Sequence, residues 1–351
     1  MRSRMNSDVA RNVTGAVFGL AVVAISVVVG LTMAKGPPAR PVTKPASKPT
    51  ATVVATASPS AVATATAATA AVAAVPVKTI PTGPSLDAYR GLGSWVDIYD
   101  EAAWKDPAAT VRDMSANGVR TLFVETANFS AKTDIVYPDQ LRVFIAEAHA
   151  RHMYVVAWYL PNMSADPTDY RRVVQAIDLT TADGQRFDSF ALDIESSAVK
   201  PDALRNQGLA TLSAQIRSHV GPKYPLGAII PSPYGLSLKK GSWNDFPYQA
   251  LAQTYDVFVP MDYYTYHASN PEQAYDITMS CMRVIRAQPG CATTPVHMIG
   301  GIAENSTAAE VQQFVRATRE TGCIGASLYG WPGTTAADLR ELAAVAVSGG
   351  R

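Results

Sequence analysis

The sequence predicts an α/β fold of the (β/α)8 barrel type, on three observations. From about Leu86 onward, apolar strand-like runs alternate with helical patterns, an order that implies a parallel sheet with helical crossovers. Eight such repeats fall within residues 85–351, the number a closed barrel of this kind needs. The stretch Phe187-Asp188-Ser189-Phe190-Ala191-Leu192-Asp193-Ile194-Glu195 sorts cleanly by face, because side chains alternate along a strand. Ser189, Ala191, Asp193 and Glu195 share one face, and Phe190, Leu192 and Ile194 share the other. A greasy side packed on helices and a polar end at the mouth suit a strand of a parallel barrel. The competing architecture is an open doubly wound sheet. No glycine-rich nucleotide fingerprint follows the first strand, which counts against it.

Ahead of the barrel the chain has three segments. Residues 1–14 form a basic N-terminus with Arg2, Arg4 and Arg11, and residues 15–34 are an uncharged, almost wholly apolar run. Such a run is long enough to cross a bilayer as a helix, and the arginines before it keep its start in the cytoplasm. It reads as a transmembrane signal anchor or a cleaved signal peptide. Its length exceeds the apolar region of about 7–15 residues usual in signal peptides, which favours the anchor, although Thr32 and Ala34 permit cleavage after Ala34. Either way the rest of the chain is expected outside the cytoplasm, tethered to the membrane or secreted. Residues 35–84 are Pro, Ala, Thr, Val and Ser with almost no aromatics and no hydrophobic period. That composition cannot build a packed unit, so a disordered linker that spaces the barrel from the membrane is expected.

The barrel itself occupies residues 85–351. Candidate strands are 93–99, 121–126, 154–160, 189–195, 226–231, 257–263, 296–303 and 324–331, with helical patterns such as 139–150, 201–220, 271–287, 308–321 and 335–347 between or after them. The chain of 351 residues is 48% hydrophobic, enough for a sizeable core. Lys and Arg number 30 against 29 Asp and Glu, for a net charge of +1, and no basic stripe follows the first residues. Nucleic acid is therefore not the expected partner. Cys291 and Cys323 both precede strands and are the candidate disulfide of an exported chain; Cys281 lies within a helix as a small buried residue. No Cys/His cluster has ligand spacing, His152, His219, His267 and His297 included, so neither a metal nor another cofactor is expected.

In such barrels the C-terminal ends of the strands build the active site. Those ends carry Asp97, Glu125, Trp158-Tyr159, Asp193 and Glu195, Asp262-Tyr263-Tyr264, Glu304, and Tyr329 with Trp331. Carboxylates and aromatics thus gather at one end. Aromatic faces stack on sugar rings. Carboxyl groups bond hydroxyls and move protons. Cleaving a glycosidic bond takes one acid for the leaving oxygen and a second negative or nucleophilic group. Glu195 is the expected proton donor. Asp193 is expected to raise its pKa and to steady developing positive charge, since two acids in a partly dry site do not both ionise.

The stretch from Phe187 to Glu195 resembles the fourth-strand signature of glycoside hydrolase family 18, the chitinase-like barrels, written D-x-x-D-x-D-x-E. Asp188, Asp193 and Glu195 match, and Ala191 replaces the second acid. Met261-Asp262-Tyr263 resembles that family's sixth-strand Met-x-Tyr, with Tyr264 where an Asp usually follows, and Trp331 matches its floor tryptophan. The resemblance implies that Glu195 is the general acid, that Asp193 orients the substrate's acetamide, which itself attacks the sugar carbon, and that Tyr263 bonds that acetamide. Leu192-Asp193-Ile194-Glu195 is also similar to the acidic strand of family 25 muramidases, where Asp97 would be a further acid. The opening Gly91-Leu92-Gly93-Ser94-Trp95-Val96-Asp97 resembles exported barrels classed only as glycosidases. The sequence therefore points to an exported hydrolase of an amino-sugar or cell-wall polysaccharide. Its catalytic candidates are Glu195, Asp193, Tyr263 and Asp262. Its substrate-binding candidates are Asp97, Glu125, Trp158, Tyr159, Tyr264, Glu304, Tyr329 and Trp331. The alternative function is a catalytically silent glycan-binding or cell-surface barrel, which Ala191 and Tyr264 favour.

Overall fold

A computed structural model describes residues 83–238 and 242–347. The predicted membrane segment, its basic flank and nearly all of the linker lie outside these residues. Eight strands alternate with helices: β1 (Gly91–Val96), β2 (Thr121–Asn128), β3 (Tyr154–Leu160), β4 (Ser189–Asp193), β5 (Leu226–Ile230), β6 (Val257–Pro260), β7 (His297–Ile302) and β8 (Gly325–Tyr329). All pair in parallel, in the order β6-β5-β4-β3-β2-β1-β8-β7. The seam between β6 and β7 is closed by parallel bridges Phe258–Val296 and Met261–Ile299. The amides of Asp262 and Tyr263 also donate across it, to Ile299 and Gly300 at 2.9 and 3.0 Å. The predicted α/β barrel is the observed fold.

The helices are α1 (Glu101–Lys105), α2 (Pro107–Ala116), α3 (Pro138–His149), α4 (Thr168–Ile177), α5 (Asp202–Val220), α6 (Pro233–Leu238), α7 (Tyr248–Thr254), α8 (Pro271–Arg286), α9 (Ala308–Glu320) and α10 (Ala336–Leu342). Local chemistry sets several of their starts. Asp106 and Asn270 cap α2 and α8 with proline at the first turn, and reciprocal bonds between Thr307 and Glu310 cap α9.

Two apolar clusters follow from strand alternation. The outer one joins Leu92, Leu122, Val155, Phe190, Leu192, Phe258 and Leu328 to buried helix residues such as Phe144, Ile216 and Phe314. The inner one fills the barrel with Tyr89, Trp95, Phe123, Val156, Trp158, Ala191, Ile229, Val259, Met261 and Ile299. Trp95 and Phe123 stack with centroids 4.2 Å apart and planes 10° from parallel, and close the barrel below the mouth. Beneath them the Tyr89 hydroxyl meets Ser189 Oγ at 2.6 Å, and a Cβ at Gly227 would stand 2.5 Å from that hydroxyl. Glycine is needed there because the aromatic lies against the strand backbone. Buried His297 bonds the Tyr89 carbonyl and Ser327, and burial pulls its pKa down to about 4, so it is neutral.

The expected disulfide does not form: Cys281, Cys291 and Cys323 are all free and buried. Cys291 donates its thiol toward the Tyr248 carbonyl at 3.6 Å, whereas Cys323 lies 3.9 Å from the Met282 sulfur. Each thiol is packed among helix residues beside its own strand entry, and the two do not pair.

Candidate active site

The fourth strand sorts its residues as strand alternation requires. Phe190, Leu192 and Ile194 belong to the outer cluster, and Ala191 to the inner one. Asp193 therefore points inward above the aromatic floor and is 6% exposed, while Glu195, past the strand's end, is half-buried. Burial holds both carboxyls above the ordinary range, and Asp193 is raised further by the charges of Glu195 and Glu125. Burial is the foremost cause for each, and repulsion between neighbouring carboxyls acts on both, so the two do not readily ionise together.

Glu125 on β2 is 2% exposed and comes from the same inward row as Phe123. Its Oε2 accepts the Ile98 amide at 3.0 Å. Burial, helped by the charge of Asp97, pushes its pKa up to about 8. A register shift between Glu125 and Ala127 turns Ala127 to the outer shell. Beyond β1, Asp97 accepts the Tyr329 hydroxyl at 2.8 Å and the Tyr99 amide at 2.7 Å. Asp100 accepts the Asp97 amide at 3.1 Å, and burial with the charges of Asp97 and Glu304 raises its pKa to about 7.

Tyr263 completes the ring. Its backbone is left-handed at φ 42°, costly for a bulky residue, and its ring meets Tyr329 edge-on at 6.0 Å and Tyr266 at 5.8 Å. Burial and the neighbouring carboxyls, Glu195 and Asp193 foremost, keep its hydroxyl protonated. Trp158 on β3 lies edge-on to Trp95 at 6.0 Å. Asp97, Glu125, Asp193, Glu195, Tyr263 and Tyr329 thus converge from strands one, two, four, six and eight. Among the described residues no group of three His, Cys, Asp or Glu is arranged to hold a metal ion.

No protein-family model and no curated protein matches this chain. Solved structures do. An endo-beta-1,4-mannanase from Thermotoga petrophila aligns at TM-score 0.57 and 11% identity, over 74% of this chain and 77% of that one. A family GH18 chitinase from Cycas revoluta aligns at TM-score 0.53 and 11% identity, over 73% and 99%. The Bacillus cereus spore cortex-lytic enzyme SleL aligns at TM-score 0.52 and 10% identity, over 72% and 73%. The chain has the (β/α)8 fold found in these glycoside hydrolases. At such identities the likeness is one of fold.

Several residues expected at the mouth face elsewhere. Asp262 is fully buried against α8, where its carboxylate accepts from Thr278 Oγ1 and from the Cys281 thiol at 3.3 Å. Tyr264 packs on Phe314 of α9 and donates to Ser306 Oγ at 3.0 Å. Tyr159 donates to Asp169 of α4 at 2.7 Å. The cause is the same each time: Met261 and Tyr263 take the inward row, so Asp262 and Tyr264 take the outward one, as Tyr159 does beside inward Trp158. Trp331 packs against the outer cluster, so the floor tryptophans are Trp95 and Trp158. Glu304 is exposed at the rim, where its charge is felt by Asp100. Asp188, the first acid of the fourth-strand pattern, sits at the opposite end, bonded to His149 at 3.0 Å and to the Val155 amide at 2.7 Å. Trp95 on β1, which no motif marks, joins the inner floor two positions before Asp97.

Proposed function

We propose that this chain is an exported glycoside hydrolase that cleaves an amino-sugar or cell-wall polysaccharide, with Glu195 as general acid and base. The observation that supports this reading is the half-buried Glu195 at the open end of a parallel barrel, its pKa raised, above a buried acid and ringed by aromatics. A carboxyl whose proton is held above the ordinary range by burial, at the open end of the barrel, is suited to donate it to a glycosidic oxygen. In the proposed reaction the bond from anomeric carbon to leaving oxygen breaks as the Glu195 proton passes to that oxygen. The Glu195 carboxylate then takes a proton from the water that ends the cycle. By the family 18 resemblance, the acetamide oxygen of the substrate attacks the anomeric carbon. Asp193 holds that acetamide, and Tyr263, kept neutral by burial, donates to it. Trp95 and Trp158 would form the surface beneath the sugar. The mannanase, chitinase and cortex-lytic enzyme that share the fold support a glycan as substrate. Residues 15–34 would hold the protein to the outer side of the membrane, or be removed on secretion, with residues 35–84 as the spacer.

Glu195→Gln tests the assignment. It should abolish hydrolysis of chito-oligosaccharides or peptidoglycan fragments and leave their binding intact. Hydrolysis that persists in this variant refutes Glu195 as the acid. The second reading, a glycan-binding barrel without turnover, is favoured by Ala191, which replaces an acid of the family 18 pattern beside Asp193. It requires that the wild-type protein bind these glycans and cleave none.

A further inference from the structure

Glu195 lies past the end of β4, where the strand ladder no longer fixes the backbone. Two bonds bracket it. On one side the Ile194 amide donates to the Ile229 carbonyl of β5 at 2.8 Å. On the other, the Ser196 carbonyl accepts from Arg205 Nη1 at 3.2 Å. Arg205, near the start of α5, is 1% exposed. Its Nη2 donates to Asp202 at 2.6 Å, and its guanidinium lies over the Trp243 ring, 3.6 Å from the centroid. Asp202 also accepts from the Asn244 amide at 2.7 Å, and Trp243 Nε1 donates to Asn206 Oδ1 at 2.7 Å. One side chain thus ties the residue after Glu195 to α5 and to residues 243–244.

Such an arrangement does little for stability. Taking an ion out of water costs about as much as its pairing returns, and an apolar side chain could fill the same space. Arg205 Nε is moreover buried with no partner. What an apolar side chain could not do is hold a carbonyl. A guanidinium offers several donors in a fixed plane and a face for an indole at once.

We propose that Arg205 is a positioning residue that holds Glu195 at the barrel mouth through the Ser196 carbonyl. Its effect on a reaction rests on the glycoside hydrolase reading; its hold on Glu195 does not. A reacting group misplaced by about 1 Å loses on the order of a hundredfold in rate. Released from its bracket, Glu195 would turn towards water, and a carboxyl held up by burial would then titrate nearer its ordinary value. Loss of a cation from beside a carboxylate does the opposite, so a positional role and a purely electrostatic one differ in sign.

Three variants of the full chain make the test. Arg205→Met removes the charge and both bonds. Arg205→Lys keeps the charge but cannot bridge both oxygens while covering the indole. Arg217→Lys is the control: on the same helix, at the end away from the mouth, Arg217 bonds the carbonyls of Thr254, Gly221 and Tyr224 and, at 2.7 Å, Asp256. With a chito-oligosaccharide or a peptidoglycan fragment as substrate, both Arg205 variants should lower kcat by about tenfold to a hundredfold and leave KM within about twofold. Arg217→Lys should lose stability and keep its kcat. The Glu195 carboxyl carbon resonance, assigned by its absence in Glu195→Gln, should titrate at lower pH in the Arg205 variants than in wild type or Arg217→Lys. If Arg205→Met does not fold, Arg205→Lys decides. A kcat loss no larger than the control's, or a Glu195 titration unmoved or moved to higher pH, overturns the proposal. A wild type that cleaves neither substrate overturns the hydrolase reading alone, and the Glu195 titration then judges Arg205.

Discussion

Glu125→Gln isolates the cost of a buried acid in this barrel. The side chain is 2% exposed, its Oε2 accepts the Ile98 amide at 3.0 Å, and burial raises its pKa from an ordinary 4.5 to about 8. The amide has the same shape, still accepts from Ile98 through its oxygen, and does not titrate. A rise from 4.5 to about 8, at about 1.36 kcal/mol for each tenfold change in proton affinity, amounts to on the order of 5 kcal/mol. The folded state holds this proton more tightly than the unfolded chain does. Its stabilising contribution is therefore fully present below about pH 4.5, falls as pH rises from there, and is gone once pH has passed about 8. Denaturant unfolding of wild type and Glu125→Gln at a series of pH values from 4 to 9 reads the effect. The wild type should lose stability relative to the variant by about 1.4 kcal/mol per pH unit inside that window and by a constant amount outside it. A difference that does not vary with pH refutes the reasoning, because it would mean that Glu125 titrates alike folded and unfolded.

Two further outcomes separate site from scaffold. Asp262→Asn should cost about 1–3 kcal/mol of stability through its bonds to Thr278 and Cys281. Its hydrolysis rate per folded molecule should stay within about twofold of wild type; a far larger loss would mean that Asp262 acts on substrate after all. Because all three cysteines are free, dithiothreitol should leave the melting midpoint unchanged. A Cys291–Cys323 bridge would contribute about 3–4 kcal/mol, and its reduction would lower that midpoint by several degrees.

The sequence by itself determined the barrel, the sorting of β4, and the gathering of acids and aromatics at one end. Each is carried by a local period: the alternation of strand and helix along residues 85–351, and the two-residue period that puts Ala191 and Asp193 opposite Phe190 and Leu192. The same period also forbids Asp262 and Tyr263 from sharing a face. Nothing local says which of them faces in. That was fixed by the seam between β6 and β7, where Met261 lies beside Ile299 in the interior and Tyr263 follows it. Burial of Glu125, the stacking of Trp95 on Phe123 and the separation of Cys291 from Cys323 likewise belong to the tertiary structure alone. Proton affinity, aromatic contact and thiol pairing depend on what the closed ring brings within a few ångströms, and these residues lie tens to hundreds of positions apart along the chain.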